Sequence, residues 1–141
     1  MDNFVADAIY IDAPPGRVFE AILEPEDILV WMDAERAEVD ARPGGGFTAL
    51  RMDGSSVSGT ISALEPGRAI QIGEWSHETG GVKRGSMTLR FLLEPRDGGV
   101  WLTVRQDGLD LGPKGWQDFA LSTRKELVRS TVALKRHIEG I

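Results

Sequence analysis

The last quarter of the chain carries the longest helical pattern in the sequence and constrains the fold more than any other stretch. Within residues 115–139, apolar and small residues recur at three- and four-residue spacing. At about 100° per residue they fall within one arc of about 120° on a helix surface. Pro113 before the pattern and Gly140 after it are typical of helix boundaries. Such a helix spans about 35 Å, so its stripe requires one long partner surface. The stripe consists of Trp116, Phe119, Ala120, Thr123, Leu127, Ser130, Thr131, Leu134 and Ile138.

The stripe changes in chemistry along its length. It begins with the bulky Trp116 and Phe119, continues through small polar residues such as Thr123 and Ser130, and ends with aliphatic residues. One interpretation is an ordinary core face whose hydroxyls bond back to the helix backbone. The other is that the small middle section leaves room for a bound molecule. The helix pattern alone leaves both interpretations open.

The preceding part of the chain predicts strands joined by turns, with two short helices after the first strand. Glycine- and proline-containing segments separate runs with a period of two, which favours an antiparallel sheet. Residues 76–84 are polar and contain glycine, which indicates a longer loop. The predicted short helices are 17–23 and 26–32, and the predicted strands are 4–12, 35–41, 47–52, 57–64, 69–75, 85–93 and 100–106. The simplest arrangement is an α+β fold in which a strongly curved sheet wraps around the long helix.

Composition narrows the class of protein. The 141 residues suit a single domain, 1–141. A net charge of −6 argues against nucleic acid or an anionic membrane as the main partner. No run approaches the roughly 20 apolar residues of a membrane span, and the sequence does not begin with a signal-peptide pattern. The absence of cysteine excludes disulfides and thiolate chemistry. We therefore expect a cytoplasmic protein.

Catalytic and metal-binding motifs are not found. His77 and His137 are far apart and lack the spacing of a metal site. No Gly-x-Ser-x-Gly motif indicates a nucleophilic serine. The glycines at 44–46 lack the Lys-Ser/Thr sequence of a phosphate loop and precede a strand, so they predict a turn. The sequence therefore predicts no catalytic residue, no metal site and no cofactor.

Three polar residues fall on the predicted inner face of the sheet. The parity that places Phe47 and Trp75 inside also turns Arg51, Gln71 and Gln106 inward. Ligand cavities use a few such groups among apolar walls. Alternatively, Arg51 and Gln106 lie at strand ends in water, and one bulge would reverse the parity. Both interpretations stay open.

Several apolar residues are predicted to face outward. Trp101 lies opposite the Leu102 face of its strand, and Leu121, Val128 and Val132 form a second stripe on the long helix. An exposed tryptophan is tolerated in a monomer, but such residues also mark dimer interfaces. A homodimer is therefore an alternative to a monomer.

The order of these elements, together with the turn and boundary residues between them, resembles that of the START/Bet v 1-like helix-grip superfamily. Within it, the chain is most similar to the branch of heat-shock-protein ATPase activator homologues and polyketide-cyclase-like proteins. The segments that carry the resemblance are DAPPGRVFEA at 12–21, PEDILVWM at 25–32, PGGGF at 43–47, GTI at 59–61, EPGR at 65–68 and GW at 115–116. The sequence departs from the branch where Gln71 and Gly73 share the face of Trp75 in a strand that is usually more aromatic.

The resemblance implies a cavity between sheet and helix that binds a small hydrophobic or amphipathic ligand. Alternative roles in the branch are a cyclase or dehydratase reaction in the same cavity, with Arg51 or Gln106 orienting a carbonyl, and co-chaperone-like protein binding. Family membership implies no common chemistry. The predicted cavity wall consists of Trp31, Phe47, Arg51, Gln71, Trp75, Met87, Leu89, Phe91, Leu102, Val104, Gln106, Trp116, Phe119, Ala120 and Thr123.

Overall fold

The secondary structure follows the predicted order of elements. The computed structural model describes residues 3–141. Within that range the helices and strands are β1 (Phe4–Ile11), α1 (Pro15–Leu23), α2 (Pro25–Trp31), β2 (Ala34–Val39), β3 (Gly46–Arg51), β4 (Ser56–Glu65), β5 (Ala69–Thr79), β6 (Val82–Arg96), β7 (Gly99–Asp107) and α3 (Lys114–Glu139).

The strands form one antiparallel sheet around the long helix. Its order is β1-β7-β6-β5-β4-β3-β2, so consecutive strands are neighbours from β2 to β7. β1 pairs with β7, with Ile9 opposite Leu102. The two short helices carry the chain from β1 at one edge to β2 at the other. The predicted α+β helix-grip fold is confirmed.

Prolines set the bounds of the short helices. α1 and α2 each begin with a proline, at Pro15 and Pro25, where the missing N–H has no helical partner to lose. Pro25 also disfavours helical geometry at Glu24, whose extended backbone separates the two helices. α1 buries Val18 and Ile22, and the broken helical pair thereby covers one end of the core.

The long helix begins one residue before the predicted start and ends where predicted. The Gly140 backbone is left-handed, with φ of 77°, and its N–H donates to the Arg136 carbonyl at 2.9 Å. Glycine adopts this conformation without the steric cost that other residues incur. Leu127, Thr131 and Leu134 are the residues of α3 that become fully buried.

The predicted loop at 76–84 is wrong. β5 continues to Thr79, and β6 begins at Val82. Gly80 and Gly81 between them have φ of 57° and 80°. Two residues with positive φ make the tight turn that suits a twisted hairpin. The polar residues were misassigned because one face of this hairpin meets solvent, while His77 and Thr79 on the other face line a cavity.

A bulge in β5 overturns the inward prediction for Gln71. The pairing of β5 with β6 shifts register between Ile72 and Trp75, and Glu74 has φ of 50°. Ile72 and Trp75 are both buried although they stand three residues apart. Gln71 therefore lies on the outer face of the sheet, toward solvent. There its side-chain N–H donates to the Ser62 hydroxyl at 3.1 Å, and its side-chain oxygen accepts from the Arg90 guanidinium at 3.0 Å.

An ionic cluster joins the short helices to the end of α3. The Asp27 carboxylate accepts two hydrogen bonds from the Arg17 guanidinium, both at 3.2 Å. His137 Nε2 lies 2.6 Å from Asp27 Oδ1. Burial acts to raise the pKa of Asp27, but the hydrogen bonds from Arg17 and His137 outweigh it and lower that pKa below its ordinary value.

We predict that Asp27→Asn destabilises the protein at pH 7 by about 1–3 kcal/mol, because the charge-assisted hydrogen bonds are lost. A carboxylate with a lowered folded-state pKa stabilises the fold above its unfolded pKa of about 3.9, and that stabilisation is lost as pH falls below it. Urea unfolding at several pH values should show the difference from wild type shrinking toward pH 3. Glu26→Gln, an exposed neighbour, should have little effect. An Asp27→Asn deficit that is constant with pH would contradict the account.

Candidate functional site

A cavity of about 260 Å³ lies between the inner face of the sheet and α3. The sheet contributes apolar residues to the cavity wall, among them Trp75, Leu89, Phe91 and Val104. Trp31 contributes from α2, where its indole N–H donates to the Ala21 carbonyl at 3.0 Å. The indole N–H is therefore satisfied by protein, and the ring offers the cavity an apolar surface.

One end of the cavity is polar and is organised around Arg51. This residue ends β3, and only 8% of it is exposed. Its guanidinium forms an ion pair with the Glu126 carboxylate of α3. The other carboxylate oxygen of Glu126, Oε2, lies 3.6 Å from Nη2 of Arg129, which follows about one turn further along the helix. The Arg51–Glu126 pair connects the sheet to the helix across the cavity wall.

The turn after β3 adds a second carboxylate to this polar end. Asp53 Oδ1 accepts hydrogen bonds from the backbone N–H of Ser55 at 2.9 Å and from its hydroxyl at 2.6 Å. Those bonds lower the pKa of Asp53. Asp53 is therefore ionised at neutral pH, and both Asp53 and Ser55 line the cavity.

His77 faces the same polar end from β5. Its ring packs on Phe119 with centroids 5.3 Å apart. Burial lowers the pKa of His77, the positive charges of Arg51 and Arg84 lower it further, and Asp53 partly opposes them. The imidazole is accordingly neutral at pH 7, and it presents a hydrogen-bonding group that carries no charge.

Aromatic residues at the start of α3 pack beside His77. The Arg84 guanidinium lies 5.4 Å from the Trp116 ring centroid and 5.7 Å from that of Phe119. Trp116 meets Phe119 edge-on at 5.6 Å. Phe119 faces the cavity, whereas Trp116 stands behind it and supports it.

Gln106 of β7 supplies a polar group among the apolar residues of the wall. Its side-chain N–H donates to the Met87 sulfur at 3.1 Å, and Gln106 is only 4% exposed. Among residues 3–141, the Gln106 side-chain oxygen accepts no hydrogen bond. Within residues 3–141 no fully buried side-chain oxygen lacks a partner, so this oxygen keeps accessible surface. Because Gln106 lines the cavity, the oxygen is open to it.

The structure places nine of the predicted wall residues on the cavity. Whether they contact a ligand is part of the proposal below. These nine are Trp31, Arg51, Trp75, Leu89, Phe91, Val104, Gln106, Phe119 and Thr123.

The other six predicted wall residues do not reach the cavity, for three kinds of reason. Gln71 is turned outward by the bulge. Phe47, Met87 and Leu102 point inward but belong to the filled core, and Phe47 sits behind Trp75 with ring centroids 5.7 Å apart. Trp116 and Ala120 are half-buried beside the wall that Phe119 and Thr123 form.

Twelve wall residues were not predicted. The sequence did not indicate Glu126, because it lies at the flank of the helical stripe, where a charged residue is expected to face solvent. His77 and Thr79 were hidden by the wrong loop assignment. Ser130 and Thr131 belong to the small middle section of the helix stripe, for which a cavity was one of two open interpretations. Leu127 and Leu134 were predicted for the stripe but not for the cavity. The twelve are Met32, Asp53, Ser55, Val57, His77, Thr79, Ser122, Glu126, Leu127, Ser130, Thr131 and Leu134.

Other classes of site find little support within residues 3–141. No cluster of three histidine, aspartate or glutamate side chains in this range has a geometry that could hold a metal ion. No helix of the described range is long and apolar enough to cross a membrane. On the outer surface, Leu121 and Val128 are exposed on α3, while Trp101 is half-buried and lies 5.8 Å from the Arg96 guanidinium.

Comparison with known proteins identifies the relatives of this chain. The family described as Activator of Hsp90 ATPase homolog 1-like protein matches residues 12–120. No curated protein matches. Both this family match and the similar solved structures confirm the resemblance to the helix-grip superfamily.

Three solved structures illustrate the likeness. A protein from Chromobacterium violaceum has 25% identity and a TM-score of 0.75, with 97% of each chain covered. The Aha1 dimer from Colwellia psychrerythraea has 15% identity and a TM-score of 0.77, with 96% of each chain covered. CalU16 from Micromonospora echinospora has 20% identity and a TM-score of 0.75, over 97% of this chain and 74% of CalU16. The likeness to the Aha1 dimer and to CalU16, both with less than 25% identity, shows the fold alone.

We predict that the His77 imidazole titrates below its ordinary pKa of about 6.5, because burial and two nearby arginines disfavour the cation. NMR titration of the two imidazoles would measure this, with His77→Asn used to assign the signals. An imidazole kept neutral by the fold also makes stability fall as pH drops below about 6.5, and His77→Asn should reduce that loss between pH 7 and 5. A His77 pKa at or above 6.5 would contradict the described environment.

Proposed function

Because the chain belongs to the family described as Activator of Hsp90 ATPase homolog 1-like protein, we propose that it binds a small amphipathic molecule in the cavity between the sheet and α3. The observation that carries the proposal is the combination of apolar residues in the middle of the sheet with a polar end around Arg51. Ligand sites combine these two surfaces so that the apolar part provides affinity and a few polar groups fix orientation.

The size of the cavity limits the ligand. Its volume of about 260 Å³ is just below the range of about 300–1,000 Å³ that is typical of sites for drug-sized ligands. A molecule with up to three aromatic rings, or a short aliphatic chain, matches this space. Longer lipids would have to displace wall residues or extend outside.

A reaction in the same cavity is the alternative that the sequence left open. The arrangement gives Arg51 an ionic partner in Glu126, and it leaves Gln106 with a free acceptor oxygen. Polarising a carbonyl requires a donor directed at its oxygen, so these two residues favour binding over cyclisation. Full activity of Arg51→Ala and Gln106→Ala in any such reaction would remove them from it.

Protein partners form a separate proposal. The description of the family makes co-chaperone-like binding an alternative, and stimulation of the ATPase of a cognate chaperone would test it.

Because the relative from Colwellia psychrerythraea is described as a dimer, a homodimer through the exposed Leu121 and Val128 is also an alternative. Light scattering with and without Leu121→Lys would measure it.

We predict that the protein binds the uncharged fluorophore N-phenyl-1-naphthylamine and that Thr123→Trp weakens this binding by about tenfold or more, because the indole fills the cavity. Fluorescence titration would measure the dissociation constants, and native mass spectrometry would measure the stoichiometry. Arg124→Trp is the matched control, since the exposed Arg124 adjoins Thr123 but does not line the cavity. Absence of binding by wild type, or equal binding by Thr123→Trp, would overturn the proposal.

A further inference from the structure

The polar groups of the cavity define its ligand more narrowly, and this inference rests on the proposed function. We propose that the ligand is uncharged and carries a hydroxyl or N–H group that donates to the Gln106 side-chain oxygen, and that Glu126 excludes carboxylate ligands by occupying Arg51. The two parts of the proposal come from opposite regions of the wall, one on β7 and one where β3 faces α3.

The first part follows from the state of the Gln106 amide. Gln106 is 4% exposed, and among residues 3–141 its side-chain oxygen accepts no hydrogen bond. Since no fully buried side-chain oxygen in this range lacks a partner, the Gln106 oxygen keeps accessible surface. The residue lines the cavity, so a bound molecule can reach that oxygen. An acceptor without a partner in an apolar wall favours a ligand with a donor, because pairing offsets the desolvation of both groups.

The neighbour of Gln106 fixes which end of the amide is available. The Met87 sulfur, 3.1 Å from the amide nitrogen, is a weak acceptor and has no proton to donate. The reversed orientation would place the amide oxygen against this sulfur, two acceptors in contact. The N–H therefore faces the sulfur and the oxygen is left for the cavity.

The second part follows from the charges on the wall. The charged residues are Arg51, Asp53 and Glu126, so one positive and two negative charges give a net charge of −1 while His77 is neutral. Arg51 is buried and already paired with Glu126. A ligand carboxylate would have to share the Arg51 guanidinium with Glu126, and it would add a third negative charge at the polar end. The wall therefore disfavours anions although it contains an arginine.

Three probes with the same bicyclic body test both parts. They are 2-naphthol, which has a hydroxyl donor, 2-methoxynaphthalene, which has none, and 2-naphthoate, which is anionic at pH 7.5. One hydrogen bond predicts that wild type binds 2-naphthol about 3- to 10-fold more tightly than 2-methoxynaphthalene. The naphthoate should bind more weakly than 2-naphthol by about tenfold or more.

Two variants assign these preferences to residues. Gln106→Leu should remove the preference for 2-naphthol over 2-methoxynaphthalene and should still bind 2-methoxynaphthalene, since the acceptor oxygen is gone while the wall stays apolar. Glu126→Gln should bind 2-naphthoate about tenfold more tightly, while the affinity for 2-naphthol stays within about threefold. The double variant Arg51→Met/Glu126→Gln should lose the gain. Asp118→Asn, an exposed change on the same helix, is the control for charge alone.

The outcomes separate this inference from the proposed function. Binding of the naphthalene probes with equal affinity for 2-naphthol and 2-methoxynaphthalene, or unchanged naphthoate binding by Glu126→Gln, would overturn the inference and leave the cavity as a ligand site. A Gln106→Leu protein that keeps the preference for 2-naphthol would also overturn it. No binding of any probe, together with none of N-phenyl-1-naphthylamine, would overturn the proposed function itself.

Discussion

The structure depends on the packing of one long, uninterrupted helix, α3, against a curved sheet. A helix bends only gently unless proline or a bulge interrupts it, so α3 cannot follow a strongly curved surface along its whole length. The helix is anchored where Leu127, Thr131 and Leu134 are buried, and the Thr131 hydroxyl donates to the Asp7 carboxylate of β1 at 2.6 Å. Along the same face, from Phe119 to Leu134, the helix and the sheet enclose the cavity.

The electrostatics of the cavity follow from that packing. The helix carries Glu126 to the end of β3, where its carboxylate pairs with the buried Arg51 guanidinium. Removing one partner of such a pair leaves an uncompensated charge, which costs far more than an exposed ion pair contributes. The same pair gives the cavity its polar end. Stability and ligand preference are thus joined at Glu126.

Much of the fold could be predicted from sequence, because turns and hydrophobic period are local signals. The helix pattern and its boundaries at Pro113 and Gly140 required no tertiary information. The inner face of the sheet could be predicted only in part. The bulge at Glu74 reverses the parity of β5 without a distinctive sequence signal, so Gln71 was placed on the wrong side. Glu126 could not be found, because its role comes from pairing with Arg51, 75 residues away in the sequence.

The central claim is that the space between α3 and the sheet receives a small molecule. A crystal structure of the protein grown with N-phenyl-1-naphthylamine tests it most directly. The account predicts electron density for the aromatic rings between α3 and the sheet, against Thr123 and Phe91, with the ligand N–H directed at Gln106. Density confined to the outer surface, or side chains that fill the cavity while the fluorophore is present in excess, would contradict it.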